Sequence, residues 1–169
     1  GISEGTQTVT ALLEDGLLLK QKIKVNEKNM VSLSYQSIVR ADSEKEPATN
    51  AIDLNQSTMW RSEHTNPNQK FEIKLNHISQ LTGLNILWYQ ETQPKHFKIE
   101  TSQNGSEWEQ VYERQNSIND KGKNYSDTIV FEEEKEAQFI RIYIYETGTF
   151  TPGIVELEIF GKVKDTLPA

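Results

Sequence analysis

Cysteine is absent from the 169 residues, which excludes disulfides, thiolate zinc sites and thiol nucleophiles. No apolar run approaches the roughly 20 residues of a membrane span, and no signal peptide opens the chain. Positive charge is short: 18 basic residues stand against 25 acidic ones, for a net charge of −7. A nucleic-acid binder needs a basic stripe, and none is visible. The same field opposes docking on an anionic membrane. Catalytic signatures are missing as well, with no G-x-S-x-G, H-E-x-x-H or Walker-type loop. His64, His77 and His96 have no metal-ligand spacing, and nothing selects two of the many acids as a glycosidase pair. Catalysis within this segment is therefore not expected. The ends, GISEGTQT and KDTLPA, are small and polar, as in a piece cut from a longer protein.

What the chain does have is alternation. FEIKL, HFKIETS, EWEQVYE, SDTIVFE, QFIRIYIYE and IVELEIFG all switch between apolar and polar with period 2, the mark of half-buried strands. In QFIRIYIYE the isoleucines 140, 142 and 144 form one face, the expected core, while Phe139, Arg141, Tyr143 and Tyr145 form the other. In IVELEIF, Glu156 is expected to point away from the core. LTGLNILWYQ is nearly continuous in apolar residues, like a strand buried on both faces. Asn104-Gly105 carries the positive φ angles of a tight hairpin. The run of glutamates 132–136 reads as a solvated loop, and Trp60, Trp88 and Trp108 read as core. Many short strands with Gly/Asn/Pro turns predict an all-β sandwich.

The first thirty residues differ. VTALLEDGLLLKQKIKV reads as two strands around Asp15-Gly16, while a helix over its first part would place Gly16 mid-helix at a cost of about 1 kcal/mol. The domain plan is thus a hairpin extension over 1–29, a main domain over 30–163 and a tail over 164–169. A chain of this length buries roughly 70% of its unfolded surface, enough for one core.

The densest chemistry lies in NAIDLNQSTMW, residues 50–60. Asp53, Asn55 and Thr58 place carboxylate, amide and hydroxyl oxygens in one loop that closes on Trp60. Two readings stand: an Asx-turn ahead of a strand, or a loop that wraps a hard cation such as calcium, which takes six to eight oxygen ligands.

Taken in order, NMVSLSYQSIVRADSE, NAIDLNQSTMW, QKFEIKL, ISQLTGLNILWY, HFKIETSQNGSEWEQV, FIRIYIYE and GIVELEIFG resemble a coagulation factor V/VIII type C (discoidin) domain. More narrowly, they resemble the bacterial carbohydrate-binding modules of family 32. The resemblance spans about residues 30–162. It rests on the loop-plus-tryptophan, the S-x-N-G-x-x-W hairpin and the closing E-x-x-x-x-G. It implies a jelly-roll sandwich with a structural calcium. The implied ligands are the carbonyls of Asn50, Asn55 and Val155, the carboxylates of Asp53 and Glu156, and the carbonyl and hydroxyl of Thr58. One position departs: the family usually has glycine after the aspartate, and this chain has Leu54, which is strained if φ is positive there.

The resemblance further implies sugar binding by loops at one end of the sandwich, with an aromatic face for the ring and polar groups for its hydroxyls. RSEHTNPNQ offers Arg61, Glu63, His64 and Asn66. ETGTFTPG offers Phe150, either a stacking face or a plug over the sandwich end. His64 is either a sugar contact or a solvated histidine, and Tyr89 is either a second platform or a rim contact. The expected function is a non-catalytic carbohydrate-binding module for galactose-type or related sugars. It would be secreted or surface-attached and would share its parent chain with a glycan-active catalytic domain. The alternative is an adhesion-type discoidin domain with a protein or lipid partner, which the absent cysteine and the negative charge fit poorly.

Overall fold

The computed structural model describes residues 6–12, 18–24, 32–89, 93–115, 125–146 and 151–164. The chain divides into two units, Gly1–Ser32 and Leu33–Ala169. In the first, β1 (Thr6–Leu12) pairs antiparallel with β2 (Leu18–Lys24), from Thr6 opposite Lys24 to Leu12 opposite Leu18. The strands form where the hairpin reading put them, and the Asp15-Gly16 turn lies outside the described residues.

The second unit holds β3 (Ile38–Ala41), β4 (Trp60–Arg61), β5 (Gln69–Trp88), β6 (His96–Ser102), β7 (Glu109–Arg114), β8 (Tyr125–Glu146) and β9 (Gly153–Val163). Two strands are long because each serves both layers of the sandwich. The first half of β5 pairs with β3 and with the second half of β8, which continues to β6 and β7. Its second half pairs with β9 and with the first half of β8, and β9 carries the short β4. FEIKL and LTGLNILW are thus one bent strand, as are SDTIVFE and QFIRIYIYE. The fold is the expected all-β sandwich.

Period-2 burial builds the core. Phe71, Ile73 and Leu75 of β5 line one inner face together with Phe97 and Ile99 of β6 and Ile140, Ile142 and Ile144 of β8, all buried. In β5 the inward parity then changes from odd (Leu81) to even (Leu84, Ile86, Trp88), and a register shift between Leu81 and Gly83 produces the change. The backbone can close up there only without a side chain: a Cβ on Gly83 would stand 2.2 Å from the Ile129 carbonyl oxygen.

Four local expectations are corrected. The glutamate run is not a loop but part of β8, with residues 132–134 exposed. Its Lys135 pairs with Glu109 and Glu133 at 2.6 Å each. Asn104-Gly105 makes no two-residue turn, because only Gly105 has positive φ (+76). Instead Asn104 Oδ1 accepts from the Ser106 and Glu107 amides at 2.9 Å, forming an Asx-type loop over 103–108. That loop leaves Trp108 outside the core, with the Arg141 guanidinium stacked 3.9 Å from its ring centroid. Finally Glu156, expected outward, is buried at 7% exposure. Between Leu87 opposite Glu156 and Trp88 opposite Ile154 the register shifts, so β9 gains a residue and alternation fails locally.

Candidate functional site

Two clusters meet at the sandwich end where β4, β9 and the last residues of β5 come together. The first is the loop between the 3-10 turn Ala48–Ile52 and β4. Ala48, Ala51 and Ile52 are buried, which anchors the start of the loop, and Trp60 at 0% exposure anchors its end. Between them Asp53 Oδ1 accepts from the Asn55 amide at 2.9 Å, and the Thr58 hydroxyl lies 2.7 Å from Asp53 Oδ2 and 2.8 Å from the Asn55 carbonyl. The Asx-turn is therefore formed. Leu54 sits at φ 63, the left-handed conformation that glycine would take without strain. Asn50 stays on the same curl, its side-chain amide donating to the Met59 carbonyl at 3.1 Å.

Glu156 faces this loop from β9. Both its carboxylate oxygens are buried without a hydrogen-bond partner, an arrangement that costs free energy for an ionised group. Burial is the main reason its pKa is pushed up to about 7, with Asp53 and then Glu158 adding like-charge repulsion. The Leu54 amide acts the other way, is the weakest of the four influences, and does not reach hydrogen-bond geometry. Among the described residues no group of three or more His, Cys, Asp or Glu side chains is placed to hold a metal. A cation here would thus rest on two carboxylates, Asp53 and Glu156, completed by carbonyls (Asn50, Asn55, Val155) and the Thr58 hydroxyl. All are hard oxygen donors, and an orphaned buried carboxylate lacks the positive charge that a hard cation brings. The donor set fits.

The second cluster centres on Arg61. Glu46 and Arg61 form a two-way backbone bridge at 3.3 Å, the Ser62 amide donates to the Pro152 carbonyl at 2.9 Å, and the Tyr89 amide donates to the Gly153 carbonyl at 3.0 Å. These bonds gather four chain segments. Gly153 permits the approach, since a Cβ there would come within 3.1 Å of Tyr89 Cβ and 3.2 Å of the Trp60 carbonyl. The Arg61 guanidinium lies 5.3 Å over the Tyr89 ring, and its Nη2 donates to Thr151 Oγ1 at 3.1 Å. Its Nε stands 3.9 Å from Glu46 Oε2, and both atoms are buried without a hydrogen-bond partner.

The loop after Arg61 is shaped from beneath. Ser43 Oγ and Ser62 Oγ lie 2.7 Å apart, both reach Gln69 Oε1, and Gln69 Nε2 donates to the Asn66 carbonyl at 3.3 Å. This small polar web holds the loop so that Glu63, His64 and Asn66 are exposed. His64 Nε2 is 3.8 Å from Glu63 Oε2. Of the six sugar-site residues named from the sequence, Arg61 and Tyr89 touch each other, and Glu63, His64 and Asn66 share the adjoining loop. Phe150 lies outside the described residues. Glu46 and Thr151 were not anticipated. Neither has a local signal, because each joins Arg61 only through strand pairing.

The sequence profile of the F5/8 type C domain matches residues 32–157. This chain belongs to that family. As an F5/8 type C domain it is similar in fold to several solved structures. One is a chitosan-binding module 1 of a chitosanase/glucanase from Paenibacillus sp. IK-5, at 20% identity and a TM-score of 0.68, covering 77% of this chain and 98% of that one. Another is the family 32 module of Clostridium perfringens NanJ, solved with galactose, at 22% identity and TM-score 0.65, covering 76% and 96%. A third is a family 32 module from a family 31 glycoside hydrolase of Clostridium perfringens, at 24% identity and TM-score 0.65, covering 80% and 96%. No curated protein matches the chain by sequence. Among the described residues no helix is long and apolar enough to cross a membrane.

Proposed function

We propose that this F5/8 type C domain is a non-catalytic carbohydrate-binding module with its sugar site at the Arg61 cluster. The observation that carries the reading is the Arg61 guanidinium laid 5.3 Å over the Tyr89 ring, beside a loop on which Glu63, His64 and Asn66 are exposed. A sugar needs an apolar face for its ring and polar groups for its hydroxyls, and this cluster offers both. Tyr89 offers the apolar ring, and Glu63, His64 and Asn66 line the rim. The ligand is a galactose-type or related sugar, with Phe150 as a second stacking face. The module acts within a secreted parent chain, raising the effective concentration of a glycan-active catalytic domain at its substrate.

Calcium belongs to the same reading, held by Asp53, Thr58 and Glu156 with the carbonyls of Asn50, Asn55 and Val155. Bound there, it supplies the positive charge that the Glu156 carboxylate lacks. Thr58 stands two residues before Trp60 and Glu156 three after Gly153, so ordering these ligands also orders the segments that carry Arg61 and Thr151.

A glycan array probed with the chain in calcium tests the proposal, followed by calorimetry with the sugar selected. Binding that Arg61→Ala and Tyr89→Ala both weaken supports it. A folded, calcium-supplemented protein that retains no glycan overturns it, and retention of a protein or lipid instead would favour an adhesion role.

A further inference from the structure

The outer face of the β3–β5–β8–β6–β7 layer carries a grid of side chains that the Arg61 cluster does not use. Register places Arg40 opposite Glu72, Glu72 opposite Arg141 and Arg141 opposite Glu100 in one row across four strands. The next row holds Lys70, Tyr143, Lys98 and Glu113, and a third places Lys74 beside Phe139. These residues alternate with buried Phe71, Ile73, Ile140, Ile142, Phe97 and Ile99, so they point outward.

Pairing on this face is incomplete. Arg40 gives Nε and Nη2 to Glu72, and Arg141 gives Nε and Nη2 to Glu100, which leaves Nη1 of each without a partner among the described residues. Lys70 Nζ has no ion pair or hydrogen bond among the described residues, while its backbone amide is held by Asp42 Oδ2 at 3.0 Å. These three groups line one cavity of about 230 Å³, together with Ala41, Asp42 and Glu72. Arg40, Lys70, Lys74, Lys98 and Arg141 outnumber Asp42, Glu72, Glu100 and Glu113 here, on a chain whose net charge is −7. Beside the cavity, Tyr143 and Tyr145 form an aromatic patch with ring centroids 4.6 Å apart, and Lys98 Nζ lies 5.3 Å from the Tyr143 ring. The Arg40–Glu72 pair has its arginine exposed, and such pairs contribute little to stability, about 0–1 kcal/mol, so fold stability does not account for Arg40 and for Lys70, unpaired among the described residues, on this face.

We infer that this sheet face is a second binding surface, for an anionic polysaccharide strand. A carboxylate or sulfate on one sugar seats among Arg40 Nη1, Lys70 Nζ and Arg141 Nη1, and a neighbouring ring stacks on Tyr143. Arginine forks and a lysine point charge are the donors suited to such oxyanions, and the tyrosine adds the apolar contact that simple ion attraction lacks. The surface is separate from the Arg61 cluster and does not depend on the sugar that the cluster binds.

The test is affinity electrophoresis and calorimetry of the full chain against short oligogalacturonates, a sulfated glycosaminoglycan oligomer and a neutral dextran oligomer. We expect binding to one or both anionic arms, which identifies the carboxylate, the sulfate or either as the recognised group, and none to dextran. Lys70→Glu should lower affinity about tenfold or more. Tyr143→Ala should weaken it as well, and Arg61→Ala should leave it unchanged, so this surface and the Arg61 site fail separately. Lys162→Glu, an exposed change on β9, controls for net charge. The inference is overturned if neither anionic oligomer binds, or if Lys162→Glu weakens binding as much as Lys70→Glu.

Discussion

Arg61 Nε and Glu46 Oε2 face each other at 3.9 Å, beyond hydrogen-bond reach, and each is buried without another partner. A pair this close that remains unbonded is held apart by its surroundings: Arg61 is committed to Thr151 at 3.1 Å and to the Tyr89 ring at 5.3 Å. A ligand meets this pair at the parts of the two side chains that are exposed, 27% of Arg61 and 38% of Glu46. Glu46→Gln and Arg61→Ala should each weaken sugar binding by about 1–3 kcal/mol, as removal of a charged hydrogen-bond partner does. Calorimetric titration measures this, and unchanged affinity in both variants would place the sugar elsewhere.

Glu156→Gln should have opposite effects with and without calcium. In chelator it removes a buried, unpartnered negative charge beside Asp53 and should raise the melting temperature. In calcium it removes a ligand. Wild type at 100 times the Kd should gain about 2.7 kcal/mol, and the variant should gain little. Differential scanning calorimetry in chelator and in calcium reads both effects. A wild type indifferent to calcium would remove the metal from the proposal.

Glu100 sets an acid-side dependence. Burial pushes its pKa up, but hydrogen bonds from Lys98 and Arg141 outweigh that and hold it below the ordinary 4.5. Lys98 Nζ lies 2.7 Å from Oε1, and Arg141 Nη2 lies 2.7 Å from Oε2. A lowered folded-state pKa means that the stabilisation is fully present above the unfolded value and is lost as pH falls through the folded one. Glu100→Gln should cost about 1–3 kcal/mol at neutral pH. Urea denaturation from pH 7 to pH 3 should show that difference shrinking as acid is added. A difference constant across the range would contradict it.

Gly83→Ala should destabilise the domain by about 3 kcal/mol or more, since neither strand can yield a 2.2 Å contact with the Ile129 carbonyl without breaking the pairing on both sides of β5. Denaturant unfolding against Gly105→Ala, which meets only the Phe139 side chain at 3.1 Å, separates close approach from the shared cost of positive φ. Equal losses would show that space at Gly83 is not the constraint.

Alternation was the legible part of this chain. Ile140, Ile142 and Ile144 read as core because inward and outward residues follow a period of 2 whatever the strand pairs with, and the Asp53–Thr58 loop was visible because its bonds span only two to five residues. Where a residue's place depends on a partner from elsewhere in the chain, the sequence is silent or misleading. Glu156 was read as outward because alternation cannot foresee a register shift, which is decided by how β9 meets β5 at Leu87 and Trp88. Trp108 was read as core because its loop length is decided by the Asn104 hydrogen bonds, and its ring is covered by Arg141 from another strand. Glu46 and Thr151 stand 15 and 90 residues from Arg61, and only the bridge to β4 and the β4–β9 pairing bring them to it. Local periodicity follows from backbone geometry one residue at a time; a site assembled across strands depends on which strands meet and in what register, and that is settled only when the whole core closes.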